Sequence, residues 1–203
     1  VLVAQSKRGH ASEFQVVHFS IQTDHVHLIV EAACVAAGTG KAGRSVHVVA
    51  PAEPKADVER DALRRGVSGL AISLARRLNR LLLRKGRAWG DRHHRRDLAS
   101  PTDVRNTLRY VLQNWLRHGM RVFGEGVVDP YSTALRFDGW ADAHVTIVET
   151  EPWPEPRPRT WLLASGWIRA GGLLRTSEAP PAARGVGQAA IVTSYVPDSS
   201  IGS

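Results

Sequence analysis

The chain has 203 residues, enough for one domain with a real core, and its Lys and Arg outnumber Asp and Glu by 27 to 19 for a net charge of +8. That balance favours an anionic partner such as nucleic acid. Cys34 is the single cysteine, which excludes an intramolecular disulfide and a thiolate metal cluster within one chain; no apolar run approaches the roughly 18 residues a membrane span needs, and no signal pattern opens the chain. These features predict a cytoplasmic protein without a membrane partner. The first residue is Val1 rather than Met, as an alternative start or a missing leading segment would give.

In chain order, Phe14 to Ile21 and His25 to Glu31 are two apolar, β-branched runs separated by Gln22, Thr23 and Asp24. They predict an antiparallel hairpin with a short polar turn. Residues 32–57 carry Gly38, Gly40, Gly43, Pro51 and Pro54 with little periodicity and read as a long inserted loop. From Val58 to Leu83, Leu63, Val67, Leu70, Leu74, Leu78 and Leu81 recur near a 3.6 period, predicting a long amphipathic helix edged with Arg64, Arg76, Arg77, Arg80 and Arg84. Lys85-Gly86 ends it, and Arg87 to Leu98 reads as a strand bearing Trp89, His93 and His94. Ser100, Pro101 and Asp103 supply an N-cap, a proline at the first helical position and an acidic first turn for a helix running to about His118. Beyond Val122 the pattern weakens: alternating Pro152, Pro154, Pro156 and Pro158 favour an extended connector, and the final twenty or so residues read as poorly ordered. The division is a domain over 1–122 and an irregular, partly disordered C-terminal extension over 123–203.

Charge is concentrated rather than spread. Residues 58–121 hold 16 of the 27 basic side chains against 5 acidic ones, leaving the remainder slightly acidic. Most arginines in proteins sit on a solvated face. This density, interleaved with Trp89, fits a track for a DNA backbone, because phosphate contact needs clustered cations and base stacking needs rings. The track comprises Arg76, Arg77, Arg80, Arg84, Arg87, Arg92, His93, Arg95, Arg96 and Arg117.

Two short patterns carry chemistry. Positions i and i+2 of a strand share a side, so His25 and His27 project together and can grip one divalent ion; two histidines on a polar sheet face are the commoner outcome for a bare pair of this kind. On the helix opened by Ser100, a polar face gathers Asp103, Asn106, Thr107, Tyr110, Asn114 and Arg117. Side chains four apart stack, so Tyr110 and Asn114 reach a common point. A metal on His25 and His27, with Asn114 as third ligand, would polarise a phosphoryl oxygen, and Tyr110 would attack the phosphorus. Imidazole and oxygen donors with open positions suit Mg2+ or Mn2+, although histidines also accept zinc.

The stretch Ser20-Ile21-Gln22-Thr23-Asp24-His25-Val26-His27-Leu28-Ile29-Val30-Glu31, the segment Gly90-Asp91-Arg92-His93-His94 and the run Tyr110-Val111-Leu112-Gln113-Asn114 resemble the single-tyrosine HUH transposases. Among these the chain is most similar to the REP-associated tyrosine transposases. The resemblance spans Phe14 to Gly119 and implies an α+β fold, a ferredoxin-like antiparallel sheet with helices packed on one face. It also implies nicking and strand transfer on single-stranded or hairpin DNA through a 5'-phosphotyrosine. By position, His25 and His27 match the metal pair, Tyr110 the nucleophile and Asn114 the third ligand. Relatives build this site within one chain or share it across a homodimer, and both arrangements stay open here. Such proteins carry a strand and most of a helix before the segment matching Phe14, where this chain has thirteen residues, which implies truncation. Two other readings are a degenerate relative that binds hairpin DNA without cutting it, and a metallohydrolase in which the histidine pair activates water.

Overall fold

The computed structural model describes residues 14–23, 25–32, 56–90, 95–118, 126–142, 145, 157–180 and 193–194. The expected insertion and the run of alternating prolines fall largely outside them, as do His93, His94 and Arg92.

Strands β1 (Phe14–Ile21) and β2 (His25–Ala32) form the expected antiparallel hairpin. Its turn is closed by the Gln22 N–H donating to the His25 carbonyl at 2.9 Å. The register shifts between Val16 and His18, so one extra residue is absorbed there as a bulge. The consequence appears in the packing. Val17 and Phe19 would share a face of a regular strand, yet Val17 joins Ile29 in one core cluster and Phe19 joins Leu28 in another.

Helix α1 (Ala56–Leu81) covers the second of these faces, with Leu63, Val67, Leu70 and Leu74 packed against Phe19, Leu28, Val26 and Val30. Gly66 makes the approach close: a Cβ there would stand 2.2 Å from the Phe14 ring. A mid-helix glycine costs about 0.5–1 kcal/mol of backbone entropy relative to alanine, and the contact with Phe14 offsets it. Helix α2 (Pro101–Leu112) covers the other face through Val104, Leu108, Val111 and Leu112, which are at most 1% exposed. Its start is as expected. The Ser100 hydroxyl accepts the Asp103 N–H at 3.1 Å, and Pro101 occupies the first turn.

The molecule is therefore a mixed α+β fold in which the hairpin is packed against helices. Three expectations need correction. Helices lie on both faces of the hairpin rather than one, because β2 is apolar on both: Val26, Leu28 and Val30 face α1 while Ile29 faces α2. The ferredoxin-like strand order is not found among the described residues. Of the strand expected over Arg87 to Leu98, the described residues 87–90 and 95–98 carry only an isolated bridge at Trp89, and the first of them fold back on α1, where the Trp89 indole N–H donates to the Ala71 carbonyl at 2.9 Å. Leu83 and Gly86 make that reversal with positive φ values of 52° and 96°.

Beyond Val122, expected to be an irregular extension, the described residues form only short helical turns and a two-residue strand but pack into the core. Phe137, Trp140, Leu163, Trp167 and Leu174 share one core cluster with Val17, Ile29 and α2. The rings of Phe137 and Trp140 meet edge to face at 5.3 Å. Polar groups pin these segments. The Glu31 carboxylate, 7% exposed at the end of β2, accepts from Gln15, from the Arg159 and Thr160 N–H groups and from the Thr160 hydroxyl at 2.6–3.0 Å. A two-residue strand, β3 (Thr193–Ser194), pairs antiparallel with β2 beside His25 and Val26, giving sheet order β1-β2-β3. Among the described residues no helix is long and apolar enough to cross a membrane.

Candidate active site

Alternation along β2 sends His25, His27, Ile29 and Glu31 to the side of the sheet that α2 covers. His27 is 1% exposed and its ring stands 4.5 Å from that of His25, at 78°. Val111 and Leu112 seat the end of α2 in the core beneath them. This brings Tyr110 to the strand: its ring meets that of His27 edge to face at 4.9 Å. The Asn114 amide nitrogen lies 3.4 Å from His25 Nε2. Four residues chosen from two patterns more than 80 positions apart thus converge on one spot.

Two details differ from expectation. The α-helix stops at Leu112, not near His118, and the chain tightens into a 3-10 helix over Asn114–His118 after Gln113 leaves helical dihedrals. The Gln113 side chain turns instead to donate to the Arg175 carbonyl. Part of the polar face of the helix is interior: Thr107 is 3% and Asn114 1% exposed, and Tyr110 packs against the core. It forms a polar seam between α2 and the sheet.

The seam has supports that the sequence did not reveal. Ser20 is the cross-strand partner of His27, and its hydroxyl donates to buried Asp129 at 3.1 Å. The same carboxylate accepts from the Gln22 amide at 3.3 Å and the Tyr131 N–H at 2.8 Å. Nothing around Asp129 marks it in the sequence, because its role depends on a partner 109 residues away. On the outer side of α2, buried Arg105 donates to both oxygens of Glu178 at 3.0 Å and to the Gly171, Gly172 and Leu173 carbonyls. Burial tends to raise the Glu178 pKa. The Arg105 hydrogen bonds and charge, joined by the Arg175 N–H and by Arg109, outweigh it and hold the carboxyl below its ordinary range.

No family model, curated protein or solved structure matches this chain. Donor atoms about one ion at roughly 2.1 Å stand about 3.0–3.4 Å apart, and the pair formed by His25 Nε2 and the Asn114 amide, at 3.4 Å, falls at that spacing. With the amide turned so that its oxygen leads, His25 and Asn114 stand at the spacing of two ligands of one divalent cation, and the His27 ring lies beside them, 4.5 Å from that of His25. The donor set is uncharged, and among the described residues no three His, Cys, Asp or Glu side chains form a metal-binding group. Such an ion needs charge from its substrate, as Mg2+ does when phosphates complete its shell.

The expected DNA-contacting residues divide. Arg76, Arg77, Arg80 and Arg87 are exposed at the end of α1 and just after it, and Arg84 donates to the Arg87 carbonyl at 2.8 Å. Arg95 pairs with Asp97 on the surface at 2.7 Å, and Arg96 pairs with Asp103 in the first turn of α2 at 2.5 Å. Arg92 and His93 lie outside the described residues, as does the side chain of Arg117. Helix α1 packs on the face of the sheet that α2 does not cover, so Arg76, Arg77 and Arg80 stand on α1 away from Tyr110.

Proposed function

We propose that this chain is a DNA-nicking and strand-joining enzyme of the single-tyrosine HUH type, acting on single-stranded or hairpin DNA. The observation that carries the reading is the convergence of His25, His27, Tyr110 and Asn114. The fold that accompanies it is an antiparallel hairpin packed between α1 and α2. A Mg2+ or Mn2+ ion bound by His25, His27 and Asn114 would supply positive charge to a non-bridging phosphoryl oxygen.

The residues do the rest. Tyr110, on a helix end fixed in the core, presents its phenolic oxygen to the phosphorus; a Tyr–O–P bond forms while the P–O3' bond breaks. The released 3'-oxygen takes a proton and leaves as a hydroxyl, and the phenolic proton passes to solvent. The 5'-phosphotyrosine keeps the bond energy, so another 3'-hydroxyl can attack it and regenerate Tyr110 without ATP. Packing of Tyr110 against the core supports this role, since a nucleophile with few rotamers loses little freedom on the way to attack.

A binding protein that holds hairpin DNA without cutting is the second reading, and one observation favours it. His27 and Asn114 are each only 1% exposed, so a phosphate reaches them only if the seam opens. The test is a denaturing-gel assay for a covalent protein–DNA adduct on hairpin oligonucleotides drawn from sequence flanking the gene. The proposal expects an adduct with Mn2+ that is lost with EDTA and with Tyr110→Phe. Cleavage that survives Tyr110→Phe would instead point to a water-activating hydrolase, and binding without any adduct to the second reading.

A further inference from the structure

The return of the chain after α1 builds a second, separate feature. An open groove of about 410 Å³ lies between the outer side of α1, at Ala71, Ile72, Ala75, Arg76 and Asn79, and the returning residues Gly86 to Trp89. Its size is in the range of small-ligand sites. Alanines at 71 and 75 leave the floor low, and Ile72 is 53% exposed at its side. The opposite wall is held in place by hydrogen bonds: Asn79 Nδ2 donates to the Gly86 carbonyl at 2.8 Å and the Trp89 indole to the Ala71 carbonyl at 2.9 Å. Trp89 is half-buried with its ring orientation fixed.

Of the side chains lining the groove, Arg76 and Arg87 are cationic and none is acidic. No acidic residue occurs between Ala62 and Gly90, while Arg76, Arg77, Arg80, Arg84, Lys85 and Arg87 all fall there. An apolar slot walled by a fixed indole and lined by the guanidinium groups of Arg76 and Arg87 is complementary to a flat ring attached to phosphate. We propose that this groove receives one unpaired base of single-stranded DNA, stacked on Trp89 and against Ile72, with Arg76 and Arg87 on the flanking phosphates. It rests on the reading of the chain as a DNA-handling protein, and adds a grip on the face of the sheet away from Tyr110. Strand and cutting site would then be engaged on opposite sides of one hairpin.

The experiment compares a fluorescent oligothymidylate with an abasic oligomer of the same number of phosphates, titrated with the full chain by anisotropy. The wild type is expected to prefer the base-bearing strand by about 10-fold, as stacking of one base supplies. Ile72→Glu puts a carboxylate into the groove at an exposed helix position, and Trp89→Leu removes the platform. Both variants, checked for fold by circular dichroism, should lose the preference while still binding the abasic strand. Equal wild-type binding of the two oligomers overturns the groove and leaves the adduct assay on Tyr110 standing. A preference untouched by Ile72→Glu and Trp89→Leu places the base elsewhere and also overturns it. If neither oligomer binds, the groove fails together with the DNA reading; a preserved preference without any adduct keeps the groove and removes the cutting activity.

Discussion

The two faces of the hairpin make contrasting sites. On the α2 side, polar residues distant in sequence are drawn into a nearly closed seam where two histidines, an asparagine and a tyrosine touch. On the α1 side, neighbours in sequence form an open, cationic groove. A closed seam depends on the whole core for its geometry, whereas the groove depends on one helix and the turn after it. Perturbing the core should therefore damage the first site far more than the second.

The largest expected effect is on chemistry. Tyr110→Phe should abolish adduct formation while leaving affinity for oligothymidylate within about 2-fold, because the lost hydroxyl lies on the opposite face from the arginines; adduct yield and anisotropy read the two separately. A core cavity comes next. Leu108 is fully buried, and Leu108→Ala should destabilise the protein by roughly 2–5 kcal/mol, measured by urea unfolding.

Acid offers a third way to break the comparison. Burial pushes the His18 imidazole down to about 4, with the Glu31 charge only partly opposing the shift. Unfolding returns it to an ordinary value near 6.5, so between those limits the unfolded chain binds the extra proton and stability falls as pH falls. The contribution is complete above about pH 6.5 and is lost on the way to about pH 4, to a total on the order of 3 kcal/mol. His18→Gln should flatten that part of the stability profile; an unchanged slope would show that His18 is not the group responsible. Smallest is the helix cap. Ser100→Ala should cost about 1 kcal/mol and lower the thermal midpoint without altering the base preference at the groove.

How much of this was legible in the sequence depends on distance along the chain. The hairpin, α1 and the start of α2 rest on local periodicity and on Ser100-Pro101, and their positions agree with expectation to within a few residues. His25, His27, Tyr110 and Asn114 could be nominated because strand and helix repeats show which side chains share a face. The repeats do not show what lies opposite. Nothing local distinguishes Phe137, Trp140, Trp167 and Leu174 from a loose tail, since their contribution comes only through contact with Val17, Ile29 and α2. The pairing of Ser20 with Asp129 and of Arg105 with Glu178 was hidden for the same reason. The docking of Trp89 on α1 was not legible either, since the reversal at Leu83 and Gly86 that brings it there follows from backbone dihedrals.

The most direct measurement is mass spectrometry of the protein after reaction with a hairpin oligonucleotide and Mn2+, followed by nuclease and trypsin digestion. Cleavage after Arg109 and Arg117 releases residues 110–117, which contain one tyrosine. The account predicts a phosphodeoxynucleotide on that peptide at Tyr110, absent with EDTA. A nucleotide attached to any other residue, or cut DNA with an unmodified peptide, would contradict it.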